Sequence, residues 1–166
     1  MIPAEIDMAD LEGQLAADGI AFGTANPVNA PLEAAMRDAL NVAPTDELGT
    51  TGLVVLEQTP AHVPDLRDVA QDLLIASGYD TVIVRTPHVA LAVSDTLDRA
   101  SIDAGQRAMI AQPDYPQGLV DFAEAAADFD VPWLLLALFG ALIVGGVVAA
   151  TWRRARQPVL SLIHIS

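Results

Sequence analysis

Apolar residues recur at helical spacing in some stretches of the chain and run without a break in others, and the two patterns alternate. Leu11 and Leu15 stand one turn apart between an aspartate suited to the N-cap and Gly19, which predicts a short helix over Asp7 to Asp18. Ile20 to Phe22 reads as a short strand. Asn26-Pro27 and Asn29-Ala30-Pro31 mark a loop, after which Leu32, Ala35, Met36 and Leu40 return at helical spacing and predict a second helix to about Asn41. APTDELGTTG, residues 43–52, is a turn-rich connector.

Gly52 to Leu56 is a continuous apolar run, the mark of a strand buried on both faces. In Pro64 to Ser77 the stripe Leu66, Val69, Ala70, Leu73 and Leu74 faces inward, Asp65, Arg67, Asp68 and Asp72 face outward, and Gly78 stops the helix. Thr81 to Val84 is the next buried strand, Pro87-His88 turns the chain, and Val89 to Val93 completes a hairpin that follows a βαβ unit. Ser101 can cap a helix reaching about Gln112, with Ile102, Ala108 and Met109 as candidate buried positions. Asp114-Tyr115-Pro116 opens a last helix with Leu119, Phe122, Ala123 and Ala126 along one face.

The final pattern differs in kind. Val131 to Trp152 is a run of 22 residues without a charge, about 33 Å as a helix against a hydrocarbon core of about 30 Å, which predicts a transmembrane helix. Trp133 and Trp152 stand at its ends, where interfacial aromatics belong, and Arg153, Arg154 and Arg156 follow as the cytoplasmic anchor. Within it Ala137, Ala141, Gly145 and Ala149 recur every four residues, with Gly146 and Ala150 on a neighbouring row, a stripe that suits close helix–helix contact.

Charge sharpens the division. Residues 1–130 carry all 22 acidic residues against five arginines, a net charge of −17, and the chain has no lysine. Such a surface repels nucleic acid and anionic headgroups and suits basic proteins or divalent cations. By the positive-inside rule the acidic domain is expected outside and the C-terminal arginines inside. The opening MIPAEIDMADLEG lacks an apolar core and does not read as a signal peptide. Cysteine is absent, which excludes disulfides, thiolate metal sites and a cysteine nucleophile. The last seven residues, LSLIHIS, match a translated sequencing adapter and are set aside.

Candidate chemistry is sparse. Neither GxGxxG nor GxxxxGK[ST] occurs, so nucleotide binding by those routes is excluded. His62 and His88 lie in loops with no spacing that promises a triad. Asp95, Asp98, Asp103 and Asp114 follow a strand end or open a helix, so their hard oxygens are candidates for Ca²⁺ or Mg²⁺; in a chain this acidic, solvated caps and turn formers are the competing reading.

From Gly52 to about Ala127 the segments GLVVLE, PDLRDVAQDLLIASG, TVIVR, HVALAV, SIDAGQRAMI and PDYPQGLVDFAEAA resemble the TPM domain family in content and order, with Asp103, Asp114, Tyr115, Gly118 and Leu119 the best-matching positions. Members usually carry an acidic hairpin turn where this chain has Thr86-Pro87-His88, and a glycine-rich segment where it has SDTLDR. The resemblance implies a membrane-tethered domain acting either as a weak metal-dependent phosphatase or as an accessory subunit, and the departures favour the accessory role. Over nearly its whole length the chain is also similar to small actinobacterial membrane proteins, which implies a cell-envelope protein often encoded beside NlpC/P60 peptidoglycan endopeptidases.

The expected architecture is α/β: N-terminal helices and connector over 1–50, a TPM-like core of small mixed sheet covered by helices over 51–128, one transmembrane helix over 131–152, a basic cytoplasmic tail over 153–159 and the adapter-like 160–166. The expected function is a membrane-anchored, non-enzymatic interaction module of the cell envelope that presents the acidic domain to a protein such as a cell-wall hydrolase. A weak divalent-metal-dependent phosphatase is the alternative.

Overall fold

The computed structural model describes residues 2–3, 5–127 and 133–155, and in the last stretch the side chains of 137–148, 151 and 152. The chain divides into two compact units, Met1–Phe129 and Asp130–Ser166.

In the first unit the elements are α1 (Met8–Asp18), β1 (Ile20–Phe22), α2 (Asn29–Val42), β2 (Thr51–Val55), α3 (Asp65–Ser77), β3 (Thr81–Arg85), β4 (Ala90–Ser94), α4 (Arg99–Ala111) and α5 (Tyr115–Ala127). Their ends have local causes. The Asp7 carboxylate accepts from the Asp10 N–H at 3.1 Å and starts α1. Gly19 and Gly78 stop α1 and α3 at φ of 76° and 72°, left-handed backbone that costs glycine nothing. The cap of α4 differs from expectation: Asp98 is the N-cap, its carboxylate accepting from the Ser101 N–H at 2.8 Å, and Ser101 lies inside the helix.

The sheet has the order β1-β2-β3-β4, with β1, β2 and β3 parallel and β4 antiparallel to β3. Both faces are covered, which is why the strands read as unbroken apolar runs. Ile20, Phe22, Leu53, Val55 and Ile83 point to the side of α2, α4 and α5, against Met36, Met109, Leu119 and Phe122. Ala21, Val54, Val82 and Val84 point to the side of α1 and α3, against Leu11, Leu15, Leu66, Val69 and Leu73. Gly105 lets α4 approach α5 closely, since a Cβ there would stand 2.8 Å from the Phe122 ring.

At the amino end of the sheet Asp80 joins β2 to β3. The Thr50 Oγ1–H and N–H donate to its Oδ2 at 2.7 and 2.8 Å, and these bonds, the side-chain one first, hold the carboxyl below its ordinary value of 3.8. A depressed carboxyl stabilises the fold above the unfolded-state value and loses that contribution as pH falls through the lower folded-state value. Between about pH 5 and about pH 3, the urea midpoint of the native chain should therefore fall further than that of Asp80→Asn; equal falls would show that this junction is not coupled to protonation.

The second unit contains α6 (Trp133–Ala155), a helix of 23 residues. Here the structure corrects the expected fold class. Among the described residues no helix is long and apolar enough to cross a membrane, so the transmembrane helix expected over 131–152 does not stand. What stands is an α/β fold with a four-stranded mixed sheet and, among the described residues, six helices. The expected tail over 153–159 and adapter-like segment over 160–166 extend outside the described residues.

Candidate functional site

Three parallel strands end side by side at Phe22, Val55 and Arg85. Crevices outside the carboxyl ends of parallel strands are where open α/β sheets bind their ligands, because the loops diverge there and expose backbone polar groups. At this edge the structure has a cleft of about 300 Å³ lined by Gly23 and Thr24 after β1, by 56–61 after β2, and by Glu5 and Ile6 before α1. Leu56, Ile6 and Pro60 supply apolar wall, Thr24, Gln58 and Thr59 supply hydrogen-bonding groups, and Glu5 and Glu57 supply two carboxylates.

The cleft has fixed walls. Gly23 follows β1 with its N–H donated to the Val55 carbonyl at 2.9 Å, and a Cβ in its place would stand 2.8 Å from Leu56. Asn26 Nδ2 donates to Glu57 Oε1 at 2.8 Å, tying the β1–α2 loop to the end of β2. Asn26 Oδ1 accepts from the Val28 N–H at 3.2 Å, and Asn29 Nδ2 donates to the Thr24 carbonyl at 2.7 Å, so that loop is pinned twice more. On the other side Thr59 and Thr86 share a hydroxyl–hydroxyl hydrogen bond of 2.8 Å. The Asn26 and Thr24 hydrogen bonds hold the Glu57 carboxyl below its ordinary value of 4.5, so it is a stable anion at neutral pH.

The aspartates singled out in the sequence are dispersed. Asp98 is exposed and caps α4, with the Ser101 N–H holding its carboxyl below the ordinary 3.8. Asp103, also exposed on α4, lies 4.0 Å from Arg99 Nε and 3.5 Å from Gln106 Nε2. Asp95 follows β4, its N–H donated to the Asp80 carbonyl, and Asp114 precedes α5, its carbonyl accepting from the Gly118 N–H at 2.8 Å. Among the described residues no group of three or more His, Asp or Glu could hold a metal ion. His62 and His88 are exposed in separate loops.

On α6, Ala137, Ala141 and Gly145 of the small-residue stripe are exposed. Leu138, Phe139, Leu142, Ile143, Val144, Val147, Val148 and Trp152 are each more than half exposed, so this helix carries a contiguous apolar surface. The side chains of Trp133, Ala149, Arg153 and Arg154, and Arg156 as a whole, lie outside the described residues.

A family model described as membrane protein Rv1476 matches residues 1–159. The chain belongs to the Rv1476 membrane-protein family. Among curated proteins and among solved structures nothing matches. Membership in the Rv1476 family makes this a membrane protein, in agreement with the location expected from the apolar run.

In this Rv1476-family member the cleft uses residues that periodicity passes over. Glu5 and Glu57 are two acids among 22 and carry no motif. One signal for Glu57 was present: it comes directly after the continuous run Gly52 to Leu56, at the carboxyl end of a parallel strand. Glu5 had none, because its place in the cleft follows from how the residues before α1 pack.

Proposed function

We propose that this member of the Rv1476 family is a non-enzymatic interaction module of the cell envelope, in which an acidic α/β domain held at the membrane docks a basic segment of a partner protein. The carrying observation is the cleft at the carboxyl ends of β1 and β2, with Glu5 and Glu57 on a partly apolar wall. A lysine or arginine side chain matches that lining, its aliphatic stem against Leu56 and Pro60 and its charged head toward the carboxylates. The net charge of −17 over residues 1–130 adds long-range attraction, which raises the association rate for a basic partner. A cell-wall hydrolase with a basic surface is the partner class we favour, and its substrate would place the domain on the outer side. That side also suits the charge, since the anionic cytoplasmic leaflet repels an acidic surface. The TPM resemblance supports the same reading through its accessory members.

The test is comparative co-purification of the full chain from detergent-solubilised membranes, native against Glu5→Gln with Glu57→Gln. A basic envelope protein should accompany the native chain, leave as salt is raised, and be lost from the double variant. Identical partners on both chains would overturn the proposal.

A further inference from the structure

β3 ends in a charge within an otherwise apolar core. Registered residues of neighbouring strands share a face, so Arg85 stands in a row with Phe22, Val55 and Ala90, all core residues. Arg85 itself is only 3% exposed. Its guanidinium reaches the connection between α4 and α5, where Nη2 donates to the Gln112 carbonyl at 3.2 Å. The Cζ lies 4.8 Å from the centre of the ring of Tyr115, the first residue of α5. Nε and Nη1 are buried and have no hydrogen-bond partner.

A guanidinium stays charged at every pH at which proteins fold, and buried charged donors without partners are strongly destabilising. One carbonyl and one aromatic face offset part of that. The nearby acids do not supply the rest: Asp121 accepts from Gln117 Nε2 at 2.8 Å and from Gln112 Nε2 at 3.5 Å, Asp114 is exposed, and among the described residues Arg85 makes no ion pair. The neighbouring element is the N-terminus of a 13-residue helix, whose dipole also favours an anion; in its first turn Pro116 has no N–H and the Gly118 N–H donates to the Asp114 carbonyl at 2.8 Å, which leaves the N–H groups of Tyr115 and Gln117 to face a ligand.

We propose that Arg85 and the first turn of α5 form a receptor for a small carboxylate. Nε and Nη1 are open donors on the two edges of the guanidinium, and the Nη2 hydrogen not donated to the Gln112 carbonyl completes the bidentate fork on one of those edges. A monoanion is selected over a phosphate dianion because one guanidinium neutralises one charge, and a surplus negative charge would be buried in a domain already at −17. The Gln112–Asp114 connection beside the guanidinium reaches the surface at Pro113 and Asp114, which are exposed.

The test uses the purified full chain in detergent at constant ionic strength, with chloride replaced stepwise by acetate or by phosphate. Acetate should raise the melting temperature by about 5 °C at tenfold excess over its Kd, and phosphate should not. The Arg85 Nε–H resonance should shift saturably over the same range. Arg85→Met should abolish the response while leaving the acetate-free chain no less stable, and Arg85→Lys, which keeps the charge and loses the fork, should weaken acetate at least tenfold. No acetate response in the native chain, a response to phosphate in its place, or a response retained in Arg85→Met would overturn the proposal.

Discussion

Phe122→Ala should destabilise the acidic domain by about 3–5 kcal/mol, a large share of the ~5–15 kcal/mol that holds a domain of this size together. Phe122 is fully buried on α5 and packs where α4 has Gly105, a residue with no side chain to relax into the space the ring vacates. The lost transfer energy therefore adds to a cavity that the neighbours cannot fill, which is the costly limit of a large-to-small change. Denaturant melts of native and variant chains would measure it. Ile75→Ala is the matched control, because Ile75 is 72% exposed on α3 and its loss should stay within about 0.5 kcal/mol. A Phe122→Ala cost below about 1 kcal/mol would mean that α4 and α5 do not close the core as described.

Glu57→Lys should weaken binding of a lysine- or arginine-rich peptide at least tenfold. The substitution replaces an anion held in place by Asn26 with a cation, so it removes an attraction and adds a repulsion inside the cleft. Asp38→Lys makes the same change in net charge on the exposed surface of α2, and it should alter affinity less than twofold at physiological salt, where exposed charges beyond about 8 Å are screened. Titration calorimetry with an oligolysine peptide would separate the two. Equal losses from both variants would show that the domain attracts basic partners through its overall field alone, and the cleft would no longer be the docking site.

Much of the fold was legible before any coordinates, because its causes are local. Gly19 and Gly78 stop α1 and α3 where periodicity fails, and they adopt the left-handed backbone that such stops require. The runs around Leu53 and Ile83 read as strands covered on both sides, and helices do cover both faces. The α4 cap was misplaced at Ser101 because aspartate and serine are comparable caps and both stand at the helix start; the geometry selects Asp98. The expected membrane crossing rested on one-dimensional hydropathy over 131–152, and the described residues do not provide a helix of the needed length and apolarity.

Patterning along the chain thus established the α/β class, the order and approximate bounds of the elements, the acidic surface and, with the family match, the membrane association. Those properties depend on residues adjacent in sequence or on sums over it. Folding alone selected Glu5 and Glu57 from 22 acids and set Arg85 apart from seven other arginines. A cleft is made by loops that meet only after the parallel strands align, and an unpaired charge is defined by what surrounds it, so both are properties of contacts between residues far apart in the chain.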